Sequence, residues 1–313
     1  MPSQIAAAAR TIVMTGGTRG LGKVAAIELL KRAPDVHLVL VARSSGTTVA
    51  EELREASGHP HVSGVEADLA SLDSIRAATA TIKGDLGRGA LPRLAGFVGN
   101  AGLQLLRATD ATVDGYEATF AVNVLANYVF VDELREHFTA PARIVLTSSD
   151  THFGDFRHNL GMVPAPRWRD PIRLSAPGTD KRATTAGAGR TAYATSKLAV
   201  IYLTHALAAR LPAGVDVFSF NPGLVPGTGL ARDGGPLTRF MFAQIMPVMT
   251  VTPYARSLKQ SGADLAVAAI EPITADSGAY VNGTRVERSS PESYDRARED
   301  ALWAELTRLS GFT

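Results

Sequence analysis

The chain has 313 residues, of which 45% are hydrophobic and 20% charged, and a formal net charge of +2. This length accommodates one large α/β domain with a substantial core, and the small net charge calls for neither nucleic acid nor an anionic membrane as partner. The absence of cysteine excludes disulfides, thiolate metal sites and cysteine nucleophiles.

Residues 1–10 lack a long apolar stretch, so no cleavable leader is expected and the cytoplasm is the expected compartment. Residues 11–15 are β-branched and apolar, which predicts a strand running into the glycine-rich turn between Gly16 and Gly22. Helical periodicity follows over 21–30, and the continuous apolar run 36–42 predicts a strand buried on both faces. A helix over 45–56, a strand over 61–67 and a helix over 71–86, with Ser71 as its N-cap, come next. Further on, 94–99, 143–147 and 215–220 predict strands, and 112–138 and 193–211 predict long helices. Strands alternating with helices mean βαβ units, hence a doubly wound parallel sheet of Rossmann type with helices on both faces. Two stretches break the alternation, at about 150–190 and 224–252. They are expected as insertions on the substrate side of a single domain spanning 1–313. The apolar patch at 240–251 falls short of the roughly 20 residues that span a bilayer.

The turn Thr15-Gly16-Gly17-Thr18-Arg19-Gly20-Leu21-Gly22 lies between a buried strand and a helix. Glycines there bring backbone N–H groups and a helix N-terminus up to a pyrophosphate. Arg43-Ser44 ends the second strand, where an acidic residue would pair with the ribose hydroxyls of NAD. With Arg19, Arg43 can flank a ribose 2′-phosphate instead, which points to NADP(H).

These features and the motifs after them resemble the short-chain dehydrogenase/reductase family along nearly the whole chain. Asp68 and Leu69 resemble the family's adenine contact, and Asn100-Ala101-Gly102 resembles its turn after the fourth strand. The preceding position is Gly99, where relatives often carry another Asn. Asn123 matches the helix Asn that holds a water in the family's proton relay. Ser148-Ser149 closes the fifth strand, whose register favours Ser149. Tyr193 and Lys197, four residues apart, share a helix face, and an ammonium near a phenol lowers its pKa. The resemblance then makes Tyr193 the general acid/base and also a cofactor contact. Lys197 is its pKa modulator and the nicotinamide ribose ligand, Ser149 the partner of the substrate oxygen, and Asn123 the end of the proton path. Pro222-Gly223 resembles the turn beside the nicotinamide. The Thr that binds the carboxamide in relatives comes one residue late here, as Thr228, with the backbone of Val225 as the other carboxamide partner.

About 40 residues separate Ser149 from Tyr193, a long insertion that resembles the retinol dehydrogenase and protochlorophyllide reductase branch. The pigment reductases carry a cysteine near substrate, and this chain has none. His152 and Phe153, just past the serine, are expected to meet substrate, and the patch from Phe240 to Met249 to form a lid or to pack. The insertion is basic, read either as a solvated loop or as attraction for an acidic substrate. No histidine spacing suggests a metal. The expectation is hydride transfer between NADP(H) and a carbonyl or alcohol on an apolar small molecule. Reduction of a conjugated C=C bond and a non-catalytic NADP(H) sensor stand as alternatives, and the chain is expected as a monomer or homodimer.

Overall fold

The apolar runs become the centre of one eight-stranded sheet in the computed structural model of the protein, which describes residues 8–44, 46–225 and 255–311. Its strands are β1 (Arg10–Thr15), β2 (Val36–Ala42), β3 (Val62–Glu66), β4 (Leu94–Gly99), β5 (Phe138–Thr147), β6 (Val215–Asn221), β7 (Tyr280–Asn282) and β8 (Arg285–Glu287). Their order is β3-β2-β1-β4-β5-β6-β7-β8, and every neighbouring pair is parallel except β7–β8. The winding reverses between β1 and β4. That reversal opens a crevice at the carboxyl ends of the strands, the place where such sheets bind ligands.

Strand alternation sorts the core into two layers. Val13, Val39, Phe97, Ile144 and Val217 face α3 (Leu72–Gly87), α5 (Ala126–Glu133), α8 (Ala186–Ala208) and α10 (Arg296–Ser310). Ile12, Met14, Leu38, Val98 and Phe218 face α1 (Gly20–Arg32), α2 (Gly46–Ser57) and α9 (Leu258–Ile270). Each such side chain, taken from water, contributes roughly 1.5–3 kcal/mol. Helices α1 and α9 cross closely at Gly262, where a Cβ would lie 2.6 Å from Val24 Cβ. The expected N-cap holds: the Ser71 hydroxyl accepts from the Ser74 amide at 3.3 Å.

Three boundaries differ from the sequence reading. The helix expected over 112–138 starts only at α4 (Ala118–Phe120), because Gly115, with φ +84°, ends a turn and the chain then bridges back through Ala111 and Glu117. Glu117 caps it by accepting from the Phe120 amide at 2.6 Å. A π turn, Ala121–Leu125, then separates α4 from α5. Strand β5 begins five residues earlier than expected, at Phe138, where the exposed Thr139-Ala140-Pro141 hid it from an apolar pattern. Helix α8 starts at Ala186, capped by Thr185. Position 189 falls in the stretch expected as an insertion, but a Cβ on Gly189 would lie 2.2 Å from the Leu105 carbonyl oxygen, so this glycine serves packing. Helix α9 had no counterpart in the sequence reading. Between β5 and α8, the insertion holds the short helices α6 (Phe156–Asn159) and α7 (Pro171–Leu174).

Candidate active site

The crevice is lined by the segments that leave β1, β4, β5 and β6. After β1, Gly16 has φ +70°, and a Cβ there would lie 2.6 Å from the Ala101 nitrogen. A Cβ on Gly22 would lie 2.0 Å from the Gly16 carbonyl oxygen. The Asn100 amide group donates to that same carbonyl at 3.0 Å, and the Ala101 amide donates to Thr15 Oγ1 at 3.2 Å. The turns after β1 and β4 are therefore one unit.

Helix α1 rises directly from this turn with no capping side chain and no acid in its first turn. By contrast α3, α8, α9 and α10 are capped by Ser71, Thr185, Ser257 and Asp295. Free amides at a positive helix end fit an anionic pyrophosphate. Arg19, the α1 N-cap residue, and Arg43 are both exposed, and neither joins an ion pair among the described residues. Thr18, Gly20 and Leu21 lie on the same turn, with Ser44 following Arg43 beyond the end of β2. Asp68, exposed beyond β3, accepts from the Ala70 amide at 3.0 Å, with Leu69 beside it. These residues fit a dinucleotide: an amide-lined phosphate seat with unpaired cations outside it.

Past β5 the chemistry changes character. Lys197 and Tyr193 are both buried, 3% and 8% exposed, one turn apart on α8. The Lys197 ammonium donates to the Thr147 carbonyl at 2.8 Å and stands 5.5 Å from the centroid of the Tyr193 ring. The Ser149 hydroxyl hydrogen-bonds the Tyr193 phenol, whereas Ser148 turns away and donates to the Lys197 carbonyl at 3.0 Å. Gly102 borders the same space: a Cβ there would be 3.6 Å from Lys197 Nζ and 3.7 Å from Asn123 Oδ1.

Electrostatics here runs against the sequence expectation in one respect. Burial pushes the Tyr193 phenol up to about 12, partly offset by the Ser149 hydrogen bond. Burial also pulls the Lys197 ammonium down to about 8. Desolvation disfavours each charged form and outweighs the attraction expected across the helix turn. At neutral pH the phenol keeps its proton.

Asn123 sits in the middle of the π turn with its carboxamide committed. Oδ1 accepts from the Leu103 amide at 2.7 Å, and Nδ2 donates to the Leu103 carbonyl and to Ser196 Oγ, both at 2.9 Å. Its main-chain carbonyl accepts from Asn127 Nδ2 at 2.8 Å. Asn127 also explains Gly99, since a Cβ at position 99 would lie 2.2 Å from Asn127 Oδ1. The helix Asn occupies the space a side chain from β4 would need. Asn127 was not read from the sequence, although its spacing of four from Asn123 was a signal for a shared helix face.

His152, expected to meet substrate, has both ring nitrogens committed to the main chain. It is completely buried, with Nδ1 2.7 Å from the Ser149 carbonyl oxygen and Nε2 3.0 Å from the Ser290 amide nitrogen. Phe153 is half-buried and stacks on His158 at 3.7 Å between ring centroids. After β6, Pro222 and Gly223 (φ +75°) lead to Val225, which is buried. Thr228 and the apolar patch from Phe240 to Met249 lie outside the described residues. Among the described residues, no group of His, Cys, Asp or Glu side chains could hold a metal, and no helix is long and apolar enough to cross a membrane.

Residues 10–159 match the family model described as short chain dehydrogenase. Retinol dehydrogenase 13 of Mus musculus is 31% identical, over 99% of this chain and 86% of that protein. A Streptomyces sp. (strain C5) protein, provisionally named daunorubicin C-13 ketoreductase DnrU, is 32% identical over 97% of this chain and 93% of its own length. Among solved structures, the NADPH-bound carbonyl reductase from chicken fatty liver superposes with a TM-score of 0.60 at 19% identity, covering 92% of this chain and 97% of that one. A blue fluorescent protein from a metagenomic library, in complex with NADPH, gives a TM-score of 0.62 at 23% identity, covering 88% and 96%.

Proposed function

This chain belongs to the short-chain dehydrogenase/reductase family, whose members use NAD(P)(H), and from that premise we propose an NADP(H)-dependent reductase of a carbonyl group on an apolar small molecule. The carrying observation is the buried cluster of Ser149, Tyr193 and Lys197 at the carboxyl ends of the sheet, next to Gly102 and Asn123. One relative is named for a retinol dehydrogenase activity and another for a ketoreductase, so both directions of the carbonyl–alcohol couple occur in its kinship.

The amides of the glycine turn and the α1 N-terminus would seat the pyrophosphate, and Arg19 and Arg43 the 2′-phosphate. Lys197 would meet the nicotinamide ribose. A bound nicotinamide supplies or accepts the hydride. The chain's own part is proton chemistry and orientation. The Ser149 hydroxyl accepts from the Thr151 amide at 3.3 Å, and its proton would turn from the Tyr193 phenol toward a carbonyl oxygen. Tyr193, protonated at neutral pH, delivers a proton to that oxygen as negative charge develops on it. The Lys197 ammonium, anchored on the Thr147 carbonyl, supplies positive charge beside the phenolate so formed. A phenol held near 12 carries its proton at neutral pH, the form in which a general acid must start.

Fluorescence titration tests the cofactor choice. NADPH is expected to bind more tightly than NADH, and Arg43→Ala to weaken NADPH about 10- to 100-fold, the worth of one charge-assisted hydrogen bond, while leaving NADH unchanged. Equal affinity for both nucleotides in the wild-type protein would overturn it.

A further inference from the structure

The hydroxyl of Ser149 is aimed by a single turn of 3₁₀ helix, Asp150–Phe153, in which Ser149 Oγ receives the Thr151 amide. The groups that hold that turn come from far along the chain. His152 bonds the Ser149 carbonyl through Nδ1 and the Ser290 amide nitrogen through Nε2. A main-chain N–H can only donate, so Nε2 carries no proton. The ring proton therefore sits on Nδ1 and donates to the Ser149 carbonyl. Two residues earlier, the Tyr280 hydroxyl donates to Asp150 Oδ1 at 2.7 Å, and the Tyr280 ring meets the His152 ring edge-on at 5.1 Å. Both links join the turn to the segment that forms β7 and the chain after β8.

We propose that His152 is a positioning residue, a neutral Nδ1–H clasp that locks the Ser149 turn onto the Ser290 segment and so sets the direction of the serine hydroxyl. The inference rests on the reading of Ser149 as the group that contacts the substrate oxygen. The geometry supports it twice over. The imidazole spans two main-chain groups, its own position lying 138 residues from Ser290 in sequence, and complete burial leaves no solvent to replace either bond. Reorientation of the ring would strand the buried Ser290 amide and leave the Ser149 carbonyl with only the His152 main-chain amide, 3.2 Å away. Aim matters at this site because a misplacement of about 1 Å in a reacting group costs on the order of 100-fold in rate.

Two substitutions separate the two bonds. His152→Asn keeps a donor near the Nδ1 position and loses the acceptor for Ser290. His152→Gln keeps an acceptor near the Nε2 position and loses the donor to Ser149. The assay is NADPH-dependent reduction of aromatic aldehydes and ketones, with NADPH titration as the check that each variant is folded. The expected result is a kcat about tenfold or more lower for His152→Gln at unchanged NADPH affinity, with His152→Asn nearer the wild type in kcat but lower in Tm. Equal kcat in wild type and both variants, with only Tm moving, would mean that His152 merely packs. A second arm does not depend on turnover: ¹⁵N NMR of the histidine rings should show His152 as the Nδ1–H tautomer, and an Nε2–H or doubly protonated ring at pH 7 overturns the clasp. If the wild-type protein reduces none of the carbonyls, the reductase reading fails, and the NMR arm still decides the clasp.

Discussion

The two walls of the crevice are built on opposite electrostatic terms. On the nucleotide side, Arg19 and Arg43 are exposed and outside any ion pair among the described residues, and α1 begins without a capping side chain. On the catalytic side, Tyr193, Lys197 and Asn123 are buried and hydrogen-bonded, and burial shifts both the phenol and the ammonium toward their neutral forms. The first wall leaves its charges in water, where they are cheap to hold and screened by salt. The second holds ionisable groups where their charged forms are costly, so their protonation states respond strongly to their neighbours.

The comparison breaks most sharply at Tyr193. Tyr193→Phe is expected to lower turnover about 10²- to 10⁴-fold, the usual worth of a general acid, while NADPH affinity by fluorescence stays within about twofold, because the turn amides, Arg19, Arg43 and Lys197 would still hold the nucleotide. On the opposite wall, Gly22→Ala places a Cβ 2.0 Å from the Gly16 carbonyl oxygen. Forcing the turn open should abolish measurable NADPH binding in the titration and cost about 1–3 kcal/mol in urea unfolding.

A third test concerns the seam between the walls. Asn127→Ala removes a side-chain donor to the Asn123 carbonyl and leaves a gap beside Gly99, which should cost about 1–3 kcal/mol in stability, and Gly99→Asn should clash with Asn127 Oδ1. Together the two changes exchange the side chain across one space. The double variant is therefore expected to be more stable than the sum of the single losses predicts, with a coupling of about 0.5–3 kcal/mol by denaturant melts. Simple additivity would deny that Asn127 fills the place vacated at Gly99.

The smallest expected effect sharpens the contrast rather than breaking it. Lys197 is an ammonium below about 8, so its charge is present at neutral pH and is lost as pH rises through that value. The rate of reduction should fall about tenfold per pH unit on that limb, while Tyr193 is still protonated. Lys197→Arg, which stays charged, should remove the limb from the pH profile even if its overall rate is lower. Raising the salt concentration should weaken NADPH binding through Arg19 and Arg43 yet leave the position of the limb near 8 in place, since buried groups are screened least. A limb that moves with salt would place Lys197 in water.

How much could be read in advance tracks the range of the interactions. The strands β1 to β6, the glycine turn, Ser149 over Ser148, and the Tyr193–Lys197 pair are local patterns, and the structure brings these residues to one crevice because a parallel sheet delivers every strand end to the same edge. The failures lie where a signal was local but its cause was not. Gly189 reads as a loop residue, yet it sits in the first turn of α8 to let Leu105 approach. Gly99 reads as a lost Asn, yet it makes room for Asn127. His152 reads as a substrate contact by its nearness to Ser149 in sequence, but its second partner is Ser290.

The alternation of elements, the glycine turn ahead of α1 and the shared helix face of Tyr193 and Lys197 follow from sequence alone, because hydrophobic period, glycine spacing and helical spacing act over a few residues. Only the tertiary structure decided the protonation preferences of Tyr193 and Lys197, the compensation between Gly99 and Asn127, and the clasp on Ser149. Each of those depends on burial or on a partner distant in the chain, and desolvation is a property of the packed site rather than of any residue in it.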